Sequence, residues 1–193
     1  MQVFVHDRLR KLDALLLRSS QVLAKYNRLD LDLAAAVNDF LDEAIDVHRT
    51  MQLSADENAL LALKAQFVSA EHGTHPDTLL RSTGHRRELV RAIALRVLQH
   101  SAEQLRHSTA DLQRKLLETT RQLQPLVLLA LREGLLPMRR RRLSPRAVQR
   151  LWTALLEASS SALAARQLAM QISIYDILLL LGEQVDSATS NPA

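Results

Sequence analysis

A chain of 193 residues with 40 leucines, 4 glycines, 5 prolines and few aromatic or β-branched side chains has the composition of a helical protein. It holds no cysteine, which excludes disulfides, zinc ribbons, iron–sulfur clusters and thiol nucleophiles. Four glycines leave no phosphate-cradling loop, dinucleotide fingerprint or nucleophile elbow. The formal net charge of +4 conceals a segregation, because residues 81–150 carry 16 Lys/Arg against 5 Asp/Glu, whereas 1–80 carry 8 against 12 and 151–193 carry 1 against 4.

Asp7 can cap a first helix reaching about Tyr26, with Leu9, Leu12, Leu16, Ser19, Leu23 and Tyr26 spaced by threes and fours as one buried stripe. A second helix, from about Asp30 to Met51, carries Ala34, Val37, Leu41, Ala44, His48 and Met51 in the same way. Ser54-Ala55-Asp56-Glu57 has the pattern of a capping box, and a third helix follows through Leu60, Leu63, Phe67 and Ala70 to a left-handed stop at Gly73.

From about His85 to Gln124 there is neither glycine nor proline, enough for a helix of roughly 60 Å. Its seam, Leu95, Leu98, Ala102, Leu105, Thr109, Leu112, Leu116, Thr119 and Leu123, repeats every 3.5 residues, the period of left-handed packing against a neighbour. Pro125 is expected to kink or restart this helix, which then ends at Gly134. Ser144-Pro145 is a cap followed by a first-turn proline, opening a last helix that is expected to run to about Gly182 through Leu151, Leu155, Ala158, Ala162, Ala165, Ala169, Ile172 and Leu179.

These elements imply an all-α fold, a five- or six-helix bundle built around two long helices at about 85–124 and 145–183. The expected organisation is one domain over 1–186 and a disordered tail over 187–193. The expected core includes Leu16, Leu41, Phe67, Leu98, Leu105, Leu112, Leu155, Ala162 and Ile172. The apolar run at 3–5 is too short for a secretory signal, and the longest apolar runs, 126–131 and 177–181, are far too short to span a membrane. A soluble, cytoplasmic protein is therefore expected.

The candidate site is basic. Arg139, Arg140, Arg141 and Arg142 lie in the turn before Ser144, and Arg146 and Arg150 come one and two turns into the last helix. Guanidiniums so placed can grip phosphates or the carboxylates of a partner. Opposite the seam of the long helix, His100, His107, Arg114 and Arg121 recur every seven residues and would extend that corner into a ridge. Aromatics are only 3% of the chain, which leaves little for base stacking, and no glycine-containing turn marks a helix-turn-helix.

His72, His75 and His85, with Glu71 and Asp77, are candidates for a transition-metal site, as are His100, Glu103 and His107 on one helix face. Asp39, Asp42, Glu43 and Asp46 align on the second helix, either as a solvated face or as internal counterparts of the arginines. No catalytic residues and no cofactor are expected. The reading is a non-catalytic interaction protein that docks an acidic protein partner through its basic corner and forms a homodimer through its helices. The alternative is a nucleic-acid-associated protein that holds the phosphate backbone.

Overall fold

A computed structural model of the chain describes residues 4–81, 85–136 and 143–190. Among these the protein is all-helical, with seven helices and no strand: α1 (Val5–Arg28), α2 (Leu33–Thr50), α3 (Ser54–Glu71), α4 (Arg86–Arg132), α5 (Pro145–Glu157), α6 (Ala162–Gln171) and α7 (Ile174–Ser190). Two compact units are present, one of Arg8–Ala110 and the other of Met1–Asp7 with Asp111–Ala193.

In the 8–110 unit, α2 buries Val37, Phe40, Leu41, Ala44 and His48 on one face, against α3, which contributes Leu60, Phe67 and Ala70. Burying a side chain the size of Phe40 or Phe67 contributes about 3 kcal/mol, so this pair anchors the unit. The capping box expected at Ser54 does not form: α3 has no side-chain cap bond, and Ser54 already lies inside the helix. Both acids of that motif are drawn elsewhere. Glu57 accepts from Arg49 Nε at 2.9 Å, and the Asp56 carboxylate accepts from Ser108 Oγ at 3.0 Å and Gln104 Nε2 at 3.3 Å, tying the start of α3 to α4. The glycine stops expected at Gly73 and Gly134 are present, with φ of +77° and +70°.

The buried stripe of α1 is Leu12, Leu15, Ser19 and Val22, rotated by about one position from the expected one, so that Leu16 is only half-buried. Leu15, Leu16 and Leu17 are adjacent, and periodicity alone cannot choose among three neighbouring leucines. On α4 the stripe is wider than the expected seam, because Ile93, Val97, Ser101 and Ser108 are buried beside Ala94, Leu98, Ala102 and Thr109. Leu112 and Leu116 are half-buried.

His48 is wholly buried, and its Nδ1 lies 2.8 Å from the Ala44 carbonyl, so that nitrogen carries the proton and donates. Among the described residues Nε2 has no partner. Because a buried acceptor with no donor is costly, His48→Leu is expected to raise the unfolding free energy by up to about 1 kcal/mol in urea melts. A loss of stability instead would mean the ring has a partner after all.

In the other unit, the helix is unbroken at Pro125, against the expected restart. Proline removes a single hydrogen bond, to the carbonyl of Arg121. Arg121 and Pro125 are both exposed, so water can satisfy that carbonyl, while buried Leu123, Leu126 and Val127 hold the helix on either side.

The second long helix is not formed. Residues 145–190 make three helices, with breaks at 158–161 and 172–173. Ala158 and Ile172 turn to extended conformations, and serine hydroxyls take up backbone groups at both breaks. Ser161 Oγ donates to the Leu155 carbonyl at 2.7 Å, and Ser173 Oγ accepts from the Asp176 backbone N–H at 3.1 Å, capping α7. Ala162 is consequently half-buried, whereas Leu155 and Ile172 are in the core as expected. Helix α7 continues through Ser190, and residues 191–193 lie outside the described residues.

Asp176 organises this unit. Its buried carboxylate accepts from the backbone N–H groups of Val5 and His6 at 2.9 and 3.1 Å, from His6 Nδ1 at 2.6 Å and from Ser173 Oγ at 2.6 Å. The first turn of α1 is thereby held to the first turn of α7, with Phe4 packed on Tyr175 at 4.7 Å between ring centres.

Candidate docking site

Arg139, Arg140, Arg141 and Arg142 lie outside the described residues. The start of α5, just after them in the chain, is built as the sequence suggests. Ser144 Oγ accepts from the Ala147 N–H at 3.3 Å and Pro145 occupies the first turn, so α5 starts at a defined point. Val148, Leu151, Trp152 and Leu155 are buried, which sets Arg146 and Arg150, one turn apart, on the opposite exposed face. Among the described residues neither guanidinium is paired with a carboxylate. A cation in the first turn of a helix meets the positive end of the helix dipole, a placement that costs local stability and adds to the positive potential offered to an anion.

An open groove of about 570 Å3 runs between α5 and α7. Leu143, Pro145, Val148, Leu178, Leu179 and Gly182 line it together with Tyr175 and the acids Glu183 and Asp186. Tyr175 is 48% exposed. An apolar floor of this kind can seat a side chain or one face of a helix. The sequence pointed to Arg146 and Arg150 but not to this groove, because reading 145–183 as one helix placed Val148 and Leu179 along a single rod. The pattern Ser173-Ile174-Tyr175-Asp176, serine three residues before an acid, marked the start of α7 and thus the turn-back that creates the groove.

Arg114 and Arg121 are exposed, as an outward ridge requires, and so are His100 and His107. Arg114 pairs with Asp111 one turn earlier, at 3.1 Å.

The histidine and carboxylate candidates do not converge. His75 Nδ1 accepts from the Asp77 backbone N–H at 3.3 Å, His85 faces Glu88 at 3.3 Å, and His72 is exposed. The carboxylates expected to join them are engaged elsewhere: Glu71 accepts from Asn38 Nδ2 at 2.9 Å and Asp77 from Arg96 at 2.6 Å. That guanidinium bond holds the Asp77 carboxyl below the usual carboxylate range. Among the described residues no group of three or more His, Asp or Glu is placed to hold a metal ion.

On the acidic face of α2, Asp42 pairs with Lys64, Asp46 with Arg49 at 2.9 Å, and Glu43 faces Arg18 at 4.0 Å. Three of the four carboxylates considered as internal counterparts of the arginine block therefore already have cations within their own unit. Among the described residues, no helix is long and apolar enough to cross a membrane. Comparison of the chain with protein-family models, with curated proteins and with solved structures found no match.

Proposed function

We propose that the protein is a non-catalytic helical interaction module, an adaptor, chaperone-like or regulatory protein, that docks an acidic protein partner through its basic face. The observation that supports this reading is the exposure of Arg146 and Arg150 on the outward face of α5, with no carboxylate partner among the described residues. Guanidiniums so exposed select carboxylates and orient the partner. The run Arg139, Arg140, Arg141 and Arg142 directly precedes this helix in sequence and belongs to the same proposed surface.

The rival, a grip on nucleic-acid phosphates by the same arginines with Arg114 and Arg121, is supported by the exposure of that ridge. A paired titration separates the two. A synthetic amphipathic helix with leucines on one face and glutamates along its margin is expected to bind and to compete with polyglutamate. Random duplex DNA is expected not to bind even at low salt. DNA binding whose affinity falls with salt by a slope of about 0.9 per neutralised phosphate would establish the rival instead.

A homodimer packed through α4, and a cytoplasmic setting, belong to the same proposal. Leu112 and Leu116 are half-buried and Leu117 is 52% exposed, which leaves apolar surface for a second copy. Light scattering at tens of micromolar protein is expected to give twice the 21.7 kDa chain mass, and a monomer at that concentration would defeat the dimer.

A further inference from the structure

The turn joining α1 to α2 presents leucines where a turn needs none. Leu29 adopts φ +63°, the left-handed conformation that glycine or asparagine takes at little cost and that Gly73 and Gly134 take after α3 and α4. Its N–H closes onto the Tyr26 carbonyl at 3.2 Å, and that of Asp30 onto the Lys25 carbonyl, so the backbone there acts as a helix stop that leucine serves badly. Leu29 is nevertheless 63% exposed, and Leu31, two residues on, is 95% exposed. Neither side chain packs into the fold in return for that strain. Leu79 repeats the feature at φ +56° and 77% exposure.

Across from the turn stands the start of α4. Arg86 and Arg87 are exposed and, among the described residues, unpaired. Together with Val90 they line an open groove of about 410 Å3 whose other wall is Leu29, Leu31 and Leu33. Arg91 is occupied, donating to the Tyr26 carbonyl at 3.2 Å and lying over the Tyr26 ring at 5.0 Å, which fixes the first turns of α4 against the end of α1. Of the acids nearby, Asp32 is neutralised by Lys25 and Glu88 faces His85, while Asp30 also lines the groove and offsets part of the charge of Arg86, Arg87 and Arg91 there. The result is a pair of projecting leucines beside two free guanidiniums.

We infer that this surface docks the protein on an anionic lipid bilayer, with Leu29 and Leu31 entering the interface and Arg86 and Arg87 meeting lipid phosphates. The charge is complementary to acidic headgroups and the apolar tips to the acyl region beneath them. Leu31, exposed to 95%, gains most by entering a fluid apolar layer that closes around it. The inference does not rest on the docking site of the other unit.

The test uses the full chain and sedimentation with vesicles of phosphatidylcholine alone or with phosphatidylserine added as a substantial minority. Binding is expected to the acidic vesicles at low salt and to be lost at high salt. Arg86→Gln with Arg87→Gln should weaken it about 30-fold, the attraction lost with two basic side chains near an acidic surface. Arg139, Arg140, Arg141 and Arg142 would attract the same vesicles electrostatically, so the leucines carry the decision. Leu29→Asn with Leu31→Asn should weaken binding by at least about tenfold while melting no lower than the parent, since asparagine suits the left-handed turn. The chain has no cysteine, so Leu31→Cys accepts a single environment-sensitive dye, whose emission should shift to the blue on acidic vesicles. Undiminished binding of the asparagine variant, an unshifted dye, or no sedimentation at low salt would overturn the inference. So would retention on polyglutamate that depends on Arg86 and Arg87 without vesicle binding, which would assign the groove to an acidic protein.

Discussion

Asp176→Ala is expected to lower the unfolding free energy by about 3 kcal/mol and the corresponding melting temperature by roughly 10 °C. The carboxylate is buried and surrounded by donors: the N–H groups of Val5 and His6, His6 Nδ1 and Ser173 Oγ. Alanine would leave these groups without an acceptor, and each buried donor so orphaned costs about 1–3 kcal/mol, with overlap between neighbours. Burial by itself pushes the Asp176 carboxyl upward, but the bonds from Ser173, His6 and the two backbone N–H groups outweigh it, and the net shift is downward. A carboxylate whose native pKa lies below its unfolded value of about 3.9 stabilises the fold fully above that pH. The contribution drains away as pH falls through the native value. Urea titrations from neutral pH down to about pH 3 should therefore show the parent losing stability toward acid while Asp176→Asn, destabilised throughout, lacks that part of the slope. Equal acid slopes in the two proteins would place the titrating group elsewhere.

Changing Arg139, Arg140, Arg141, Arg142, Arg146 and Arg150 to glutamine is expected to weaken binding of the acidic amphipathic helix by at least about 100-fold, roughly 2.7 kcal/mol, while the melting temperature holds within a degree or two. Exposed charges of one sign contribute little singly to stability, and removing their mutual repulsion can only help. For Arg146, in the first turn of α5, glutamine also relieves an unfavourable interaction with the helix dipole. The competing view, in which the block pairs with the acids of α2, requires the opposite: a midpoint lowered by several degrees, and the same loss on replacing Asp39, Asp42, Glu43 and Asp46. The cations already facing Asp42, Glu43 and Asp46 argue for the first outcome. Isothermal titration and thermal melts on the same variant decide between them.

Part of the docking surface is legible without any fold. Charge segregation is a property of the string, and the Ser144-Pro145 start is a local signal, so the exposed arginines of α5 can be placed on a helix with a known beginning. The groove between α5 and α7 is not legible, since it exists only because the helix breaks at 158–161 and 172–173. An alanine-rich seam is compatible with one helix or several. Serine, which can leave or enter a helix with its hydroxyl satisfied either way, decides between them only in the presence of a neighbour. Leu29 and Leu31 read as ordinary leucines, because no sequence pattern reports that a leucine occupies a left-handed turn in full solvent.

Amino-acid order was enough for the all-helical class, the existence and polarity of α1 to α3, the long helix α4, and the glycine stops at Gly73 and Gly134. These follow from propensity, 3.6-residue periodicity and backbone sterics, all of which act within a few residues of each other. Contacts made on folding chose which of several adjacent leucines faces inward, whether Pro125 ends its helix, and where Ser54, Asp56 and Glu57 place their hydrogen bonds. They also joined Asp176 to Val5 and His6, at separations of 171 and 170 residues. Those outcomes turn on partners brought together by folding, where burial and hydrogen-bond competition of a few kcal/mol override local preferences worth less than about one.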